Sequence, residues 1–248
     1  MRRWMLYAVL LLSALAGWTA CGLGRSATQT PETAEAEAPL QSLFSPDSPT
    51  EKRMREMGLV DVAEVDTAIR VHLVYATAEN FTGCILYEDI RKAFLLPAAA
   101  EKLSDARRRL QAERPDLTLL VYDAARPFSV QERMREEAVK LGKTNYVSNP
   151  KRGGGLHNYG AAVDLTLCDA AGTPLPMGSP FDHFGPESHI NRENDLLRTG
   201  KITQQEFENR KLLRRVMTGA GFSTIANEWW HFNLVSRDEA IATLQKIE

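Results

Sequence analysis

The stretch that decides the fold, residues 153–167, is Gly-Gly-Gly-Leu-His-Asn-Tyr-Gly-Ala-Ala-Val-Asp-Leu-Thr-Leu. Its glycine-rich turn leads to His157, and the small and apolar residues that follow predict a buried strand over 160–167. Asp164 interrupts this apolar run, and a buried carboxylate is costly unless it has a partner. The partner is either a divalent cation shared with His157, a set of backbone amides, or an arginine.

Hydrophobic patterning predicts further strands and helices on both sides of this stretch. Strands and helices alternate without a regular β-α-β rhythm, which predicts an α+β fold with a mainly antiparallel central sheet flanked by helices. Pro97 either divides or starts the second predicted element, and Thr203 with Glu206 forms a capping-box pattern. The predicted elements are a strand over 67–75, a helix over 88–113, a strand over 117–122, a helix over 129–141, and, beyond the 160–167 strand, a helix over 203–220 and a strand over 229–235.

The N-terminus has the pattern of an export signal. Two arginines precede an uncharged run rich in leucine and alanine, residues 4–20. Small residues then precede Cys21, as in the cleavage box of bacterial lipoproteins, except that Trp18 stands where leucine is usual. The alternatives to lipid attachment at Cys21 are ordinary cleavage nearby and an uncleaved helical anchor of roughly 20 residues. All three predict a periplasmic or envelope protein that meets the membrane only through its N-terminus.

Composition divides the chain into three parts and excludes one class of partner. A signal segment over 1–20 is followed by residues 21–50, whose Ala, Thr, Pro, Glu and Ser content predicts a flexible tether. Residues 51–248 are expected to form a single domain. The net charge of -2 offers no basic footprint for nucleic acid, and the sequence does not specify an oligomeric state. Apart from Cys21, the chain has Cys84 and Cys168, which either pair in an oxidising compartment or are small buried residues.

A second unusual setting lies near the C-terminus, where Glu228 and His231 flank two tryptophans. Positions three apart on a regular strand face opposite sides. If both side chains reach one site, Glu228 lies on a turn before the strand or a bulge redirects it. The alternative is a tryptophan-rich core strand with a polar start.

Together the two settings supply the residues of a catalytic zinc centre. His157, Asp164 and His231 are three ligands that leave a fourth position open, and Glu228 is a carboxylate free to accept a proton from water. Structural zinc sites more often fill all four positions. Arg126, just after the strand over 117–122, could stabilise an oxyanion, although most arginines are surface residues.

These segments resemble the zinc D-Ala-D-Ala dipeptidases, the VanX-type branch of peptidase family M15. The resemblance covers roughly residues 71–235, and it rests on several separate motifs that occur in the family's order. These are residues 75–83 (Tyr-Ala-Thr-Ala-Glu-Asn-Phe-Thr-Gly), 123–127 (Asp-Ala-Ala-Arg-Pro), 157–167, 177–182 with 188–189, 209–222, and 228–231 (Glu-Trp-Trp-His).

The resemblance implies a role for each matching residue. It implies one zinc ion held by His157, Asp164 and His231, Glu228 as the general base and Arg126 as the residue that stabilises the transition state. It further implies that the zinc site lies at the sheet.

The resemblance also implies a small pocket for a dipeptide. Asp182 matches the acidic residue near the substrate's amino end, and Tyr75 and Asn80 lie in a segment associated with the pocket. The chain departs from the family at Gly155 and Leu156, where serines often precede the first zinc histidine. Fine specificity is therefore expected to differ.

The resulting prediction is zinc-dependent hydrolysis of D-alanyl-D-alanine in peptidoglycan metabolism or turnover. A second enzyme class is a zinc DD-carboxypeptidase that trims peptidoglycan stem peptides, which needs a cleft open beyond the substrate's amino end. The third alternative is a catalytically inactive wall-binding lipoprotein on the same scaffold. Such proteins usually lose the base or a ligand, and here all of those positions are present.

Overall fold

The structure, a computed structural model, describes residues 45–248. The predicted signal segment, Cys21 and nearly all of the predicted tether lie outside the described residues. The first described helix begins at Pro49, where Ser48 and Glu51 form a reciprocal capping box. An ion pair of 2.7 Å between Lys92 and Asp47 fixes the residues just before this helix.

The described residues form a mixed α+β fold, which confirms the predicted class. Its α-helices are α1 (Pro49–Glu56), α2 (Val62–Val65), α3 (Pro97–Glu113), α4 (Phe128–Lys140), α5 (Glu193–Arg198), α6 (Gln204–Gly219) and α7 (Arg237–Thr243). Its strands are β1 (Val60–Asp61), β2 (Arg70–Val71), β3 (Phe94–Leu95), β4 (Leu117–Asp123), β5 (Ala162–Asp169), β6 (Ser223–Ile225) and β7 (Glu228–Asn233).

The main sheet has five strands in the order β2-β4-β5-β7-β6. It is antiparallel except at one edge, where β2 runs parallel to β4. Strands β1 and β3 form a separate antiparallel pair. The central strand β5 is buried from Ala162 to Cys168, because strands pair with both its edges and side chains cover both its faces. Within this strand Asp164 is the only acidic residue before its last position.

Helices α3 and α6 supply much of the core beside the sheet. Leu103 and Leu110 of α3 and Met217 of α6 are fully buried, and burial of each such side chain is worth about 1.5–3 kcal/mol. Helix α6 begins as predicted, with Thr203 as N-cap and Glu206 completing the capping box. No helix among residues 45–248 combines the length and the apolar character needed to span a bilayer.

Two predicted elements differ from the structure. Of the strand predicted over 67–75, only Arg70–Val71 pairs with β4, and the chain then enters a 3-10 turn at Val74–Ala76. Its apolar residues are buried by packing without strand partners, which patterning cannot distinguish from a ladder. The helix predicted from residue 88 begins only at Pro97, because proline favours the first helical position and disfavours helix in the residue before it.

The two described cysteines are free. Cys168 is buried within β5 and Cys84 is exposed. The alternative of a disulfide therefore does not hold in this structure, and only Cys168 fits the description of a small buried residue.

Candidate functional site

Three side chains from two strands and a turn converge on one point. Asp164 on β5 lies directly opposite His231 on β7, and the 3-10 turn Leu156–Tyr159 delivers His157 beside them. Oδ1 of Asp164 lies 2.8 Å from Nδ1 of His231 and 3.4 Å from Nε2 of His157. Those two ring nitrogens are 3.2 Å apart. The three predicted metal ligands therefore form a compact cluster, with ligand atoms all within 4.8 Å of one another.

The outer nitrogen of each imidazole is held by a hydrogen-bond acceptor. Nδ1 of His157 donates to the carbonyl of Ala124 at 2.7 Å, and Nε2 of His231 donates to Oδ1 of Asn233 at 2.7 Å. A neutral imidazole with one protonated nitrogen keeps a lone pair on the other. The two inner nitrogens, Nε2 of His157 and Nδ1 of His231, face each other beside a carboxylate. A cation that displaces their protons would find two imidazole lone pairs there, and the outer contacts resemble those that support metal-bound histidines. The donor set of two imidazoles and one carboxylate fits zinc.

Asp164 keeps its negative charge despite its burial. Burial alone raises the pKa of this carboxyl, but the adjacent His157 and His231 lower the pKa more strongly, and the net shift is downward. For His231 burial lowers the pKa, and the attraction of Asp164 overcomes that effect and raises the pKa to about 9. In the described chain the carboxylate of Asp164 contacts the imidazoles of His231 and His157. Backbone amides and an arginine, two of the partners expected for it, are not among these contacts, which leaves the shared cation.

Glu228 reaches the same site from the first position of β7. The pairing of β6 with β7 shifts register after Thr224, so that Ile225 lies opposite Glu228. This irregularity brings Oε2 of Glu228 to 3.9 Å from Nδ1 of His231, although the two residues are three positions apart. Burial is the main cause that raises the pKa of Glu228 to about 7. A carboxyl with such a pKa can both accept and return a proton near neutral pH.

Arg126 is buried in the loop that follows β4, with 7 % of its surface exposed. It forms an ion pair with Asp123, and Nη1 donates to Oε1 of Gln131 at 2.8 Å. Its Nε is buried and has no hydrogen-bond partner among the described residues. Although burial opposes the charge, the Asp123 carboxylate raises the pKa of Arg126 well above its ordinary value. The alternative of a surface arginine is thereby excluded.

A bulge at the end of β4 prepares this arrangement. The register of β4 against β5 shifts between Val121 and Asp123, which places Asp123 opposite Asp164. Asp123 also accepts a hydrogen bond from the hydroxyl of Tyr87, and its Oδ2 lies 3.6 Å from Nδ1 of His157. No role for Asp123 was predicted from the sequence. Its position three residues before Arg126 could have indicated the ion pair between the two side chains.

Asp182 and Tyr75 meet on another side of the cavity. The Tyr75 hydroxyl donates to Oδ1 of Asp182 at 2.9 Å, while Oδ2 is buried with no partner among the described residues. Asp182 has a φ of 60°, in the left-handed region that is uncommon for residues other than glycine. Burial is the main cause that raises its pKa to about 8, and the carboxylates of Asp164 and Glu228 add to this effect.

Asn80 does not line the cavity. Its amide donates to the carbonyls of Thr77 and Cys84 at 2.8 Å each, and its oxygen accepts from Thr82, so the side chain organises its own loop. The neighbouring Phe81 lines the cavity instead. The structure therefore brings together all the residues predicted for the site except Asn80.

The cavity around these groups has a volume of about 330 Å³. This lies at the small end of the range for ligand pockets. Three aromatic side chains from separate loops form one wall, which we call the aromatic wall. In it the ring of Phe184 stacks on Tyr146 at 4.7 Å and meets Phe81 edge-on at 4.8 Å between centroids.

Ser148 occupies the space beside Gly155, one of the two positions where the resemblance leads to the expectation of serine. A Cβ on Gly155 would lie only 2.9 Å from Oγ of Ser148. Ser148 also lines the cavity. A hydroxyl is therefore present on this side of the cavity, although it comes from a different segment of the chain.

The chain is similar to a family of known dipeptidases. The family model described as D-ala-D-ala dipeptidase, Peptidase M15, matches residues 55–245. The D-alanyl-D-alanine dipeptidase of Escherichia coli (strain K12) is 34% identical over 179 residues, which cover 71% of this chain and 84% of that protein. The D-alanyl-D-alanine dipeptidase of Enterococcus faecium is 31% identical over 74% of this chain and 94% of its own length. The D-alanyl-D-alanine dipeptidase of Enterococcus faecalis is 29% identical over 73% of this chain and 93% of its own length.

One solved structure gives a weaker match. It is a vancomycin resistance D,D-pentapeptidase, VanY, in complex with Zn(II), with 16% identity, a TM-score of 0.35 and coverage of 60% of this chain and 78% of its own. This likeness is too distant to bear on the fold. The family model and the sequence relatives each cover most of the chain. The chain therefore belongs to the D-Ala-D-Ala dipeptidase family of M15 peptidases.

Proposed function

We propose that this protein is a zinc-dependent dipeptidase that hydrolyses D-alanyl-D-alanine to two molecules of D-alanine. The observation that carries the proposal is the convergence of His157, Asp164 and His231, with ligand atoms within 4.8 Å of one another, beside Glu228 in a small cavity. We assign one zinc ion per chain to these three ligands, at the edge shared by β5 and β7. When bound, zinc would act as a Lewis acid toward water and the scissile carbonyl.

Glu228 and Arg126 are assigned the two remaining chemical tasks. Glu228 takes a proton from the attacking water and later returns it to the leaving amine, for which a pKa of about 7 is well suited. The guanidinium of Arg126 is fixed by Asp123 and Gln131 and keeps one N–H, at Nε, unpaired within the described chain. This fixed guanidinium lines the cavity and can stabilise the oxyanion that develops on the carbonyl oxygen.

Asp182 is assigned to the substrate's ammonium group. Its Oδ2 has no hydrogen-bond donor among the described residues, so an ammonium group placed there would supply both a donor and a countercharge. Such a cation would lower the raised pKa of Asp182 and stabilise the carboxylate form. Tyr75 holds the other carboxylate oxygen in position. A site of this kind selects substrates with a free amino end.

The aromatic wall favours a dipeptidase over the alternative carboxypeptidase. A carboxypeptidase would need room for a peptide chain that continues beyond the residue bound by Asp182. Phe81, Tyr146 and Phe184 pack against one another along the cavity, and its small volume fits a dipeptide. The alternative of an inactive wall-binding protein is disfavoured because the base and all three ligand positions are retained.

We further propose that the enzyme is exported and carries lipid at Cys21, as its N-terminal pattern indicates. It would then act in the periplasm or at the cell envelope, in wall turnover or in scavenging of released dipeptide. Incorporation of labelled palmitate into the wild-type protein, and its loss in Cys21→Ser, would support this assignment. Recovery of unlabelled protein in the cytoplasmic fraction would contradict it.

The decisive experiment is an assay of alanine release by the purified, zinc-loaded protein. Its substrates are D-Ala-D-Ala, L-Ala-L-Ala and a muramyl pentapeptide, and Glu228→Ala is the control. We expect release from D-Ala-D-Ala alone, and loss of that release in the variant. Release from the pentapeptide would transfer the assignment to a carboxypeptidase, and absence of release from every substrate with zinc bound would refute the proposed activity.

A further inference from the structure

A second cavity, of about 440 Å³, adjoins the first and is lined by three arginines, Arg135, Arg152 and Arg237. We call it the arginine cavity. Arg237 also lines the first cavity, as do Val147 and Ser148. No aspartate or glutamate is among the described residues that line the arginine cavity. The proposed dipeptide site therefore opens beside a concentration of positive charge.

Backbone carbonyls hold two of these guanidinium groups in place. Nη1 of Arg135 donates to the carbonyls of Thr144 and Val147, and Nη2 of Arg237 donates to that of Arg152. None of the three arginines forms an ion pair within residues 45–248. A carbonyl fixes the orientation of a guanidinium but does not neutralise its charge. The guanidinium groups of Arg135 and Arg237 are therefore oriented, and all three arginines keep a charge that can bind an anion, preferably a carboxylate or phosphate.

The turn that supplies the carbonyl of Arg152 also leads into the active site. Gly153 and Gly154 have φ values of 90° and 71°, and a Cβ on Gly154 would lie 2.3 Å from Oδ1 of Asn158. Only glycine fits this path without displacing Asn158, whose amide donates to the carbonyl of Arg126 at 2.9 Å. The turn at Gly153 and Gly154 and the hydrogen bond of Asn158 thus connect the arginine cavity with the site around His157.

The wall between the two cavities is linked to the proposed reaction centre. Gln131 accepts a hydrogen bond from Arg126 at 2.8 Å and donates one to the carbonyl of Ser148 at 3.0 Å. In the proposed binding mode Asp182 holds the amino end of the dipeptide and Arg126 faces the scissile carbonyl. The second residue then extends away from Asp182, and the segment around Ser148, with Arg237, is available to meet it.

We propose that the arginine cavity binds a carboxylate on the side chain of the substrate's second residue, so that the enzyme also hydrolyses dipeptides in which D-alanine precedes an acidic residue. The inference rests on the proposed function. Water adds across the peptide bond of such a substrate, so that a C–O bond replaces the C–N bond and the amine leaves with a proton. The products from D-Ala-D-Glu are D-alanine and D-glutamate.

The test compares D-Ala-D-Glu with D-Ala-D-Gln, which has the same size without the charge. We expect kcat/KM to be at least about tenfold higher for the acidic dipeptide, equivalent to about 1.4 kcal/mol. High salt should reduce this preference. Arg152→Met should reduce it several-fold, and Arg152→Lys should retain part of it. Arg198→Met is the matched control, because that arginine is exposed on α5 and paired with Asp195.

Two readouts separate failure of this inference from failure of the proposed function. Equal kcat/KM values for the two dipeptides, with D-Ala-D-Ala cleaved in the same preparation, would overturn the arginine cavity alone. Calorimetric binding of both dipeptides to Glu228→Gln provides a measurement that does not depend on turnover. Tighter binding of D-Ala-D-Glu than of D-Ala-D-Gln, lost in the double variant with Arg152→Met, supports the inference, and equal binding refutes it even if D-Ala-D-Ala is never cleaved.

Discussion

The hydroxyl of Tyr75 donates a hydrogen bond of 2.9 Å to one oxygen of Asp182, and the other oxygen has no partner among the described residues. Asp182 and Tyr75 both line the cavity that holds the three predicted metal ligands. The same tyrosine ring lies 5.0 Å from the guanidinium of Arg126. Tyr75 therefore connects the group assigned to the substrate's amino end with the group assigned to its carbonyl.

Replacement of Asp182 by asparagine tests the assignment of the amino end. The variant keeps the size of the side chain and an oxygen for Tyr75, but it loses the countercharge. A charged hydrogen bond contributes about 1.5–3 kcal/mol, so kcat/KM for D-Ala-D-Ala should fall by about 10- to 100-fold. N-acetyl-D-Ala-D-Ala, which has no ammonium group, should be a poor substrate of the wild type, and Asp182→Asn should narrow the difference in kcat/KM between the two substrates. A loss of activity toward D-Ala-D-Ala with that difference unchanged would show that Asp182 acts through the structure of the site rather than through charge.

Removal of the central ring of the aromatic wall tests what limits the substrate to a dipeptide. Phe184 contacts both Tyr146 and Phe81, so Phe184→Ala should open the wall. We expect the variant to release C-terminal D-alanine from tripeptides that the wild type leaves intact, with activity toward D-Ala-D-Ala reduced several-fold. Mass spectrometry of the products measures this change. Phe207→Ala on α6, outside the cavity lining, is the control, and an unchanged substrate range in Phe184→Ala would refute the role of the wall.

Asn233 provides a test of the metal site that does not depend on catalysis. Its oxygen accepts the hydrogen bond that orients His231, and loss of such an acceptor typically lowers metal affinity by about 10- to 100-fold. Zinc affinity of Asn233→Ala, measured by competition with a fluorescent chelator, should fall by that factor. Asn194→Ala, which removes an exposed amide from α5, should leave the affinity unchanged. Equal affinities in the two variants would contradict the proposed orientation of His231.

The sequence was sufficient to predict the elements whose signals are local. The capping box at Thr203 fixes the start of α6, and the unbroken apolar run predicted β4 almost to its last residue. It was not sufficient at positions where burial comes from distant contacts. Residues 67–75 alternate as a strand does, yet the fully buried ones among them pack without a strand partner, and only Arg70–Val71 joins the sheet.

Similar reasoning applies to the site. The residue types and their settings predicted a site at His157, Asp164, His231 and Glu228, and the structure places these side chains close together. The contacts that orient them could not be predicted, since the carbonyl of Ala124 and the bulge before Asp123 depend on strand register. The substrate-binding role of Asn80 stays a prediction, since the contacts of its amide in this structure are within its own loop.

Asp61 lies outside the site and makes stability depend on pH. The residue is 1% exposed, and its Oδ1 caps α2 by accepting from the backbone N–H of Ala63 at 3.0 Å. Its Oδ2 has no partner within the described chain. Burial is the main cause that raises the pKa of Asp61 from 3.8 to about 6. Between these two pH values the folded state binds more protons than the unfolded state, so stability falls as pH rises through this window and stays lower above it.

Asp61→Asn should therefore raise the melting temperature at pH 8 and change it little at pH 4. Asparagine can keep the cap to Ala63 and removes the charge, but its amide remains without an acceptor. At pH 8 the free energy of unfolding is expected to rise by about 1–2 kcal/mol. This is less than the roughly 3 kcal/mol that two pKa units represent, because the unpaired amide offsets part of the gain. Asp105→Asn is the control with the opposite sign, because the ion pair with Arg109 lowers the pKa of Asp105. If thermal unfolding at pH 8 gives Asp61→Asn no advantage over the wild type, the Asp61 carboxylate is stabilised by contacts that outweigh its burial.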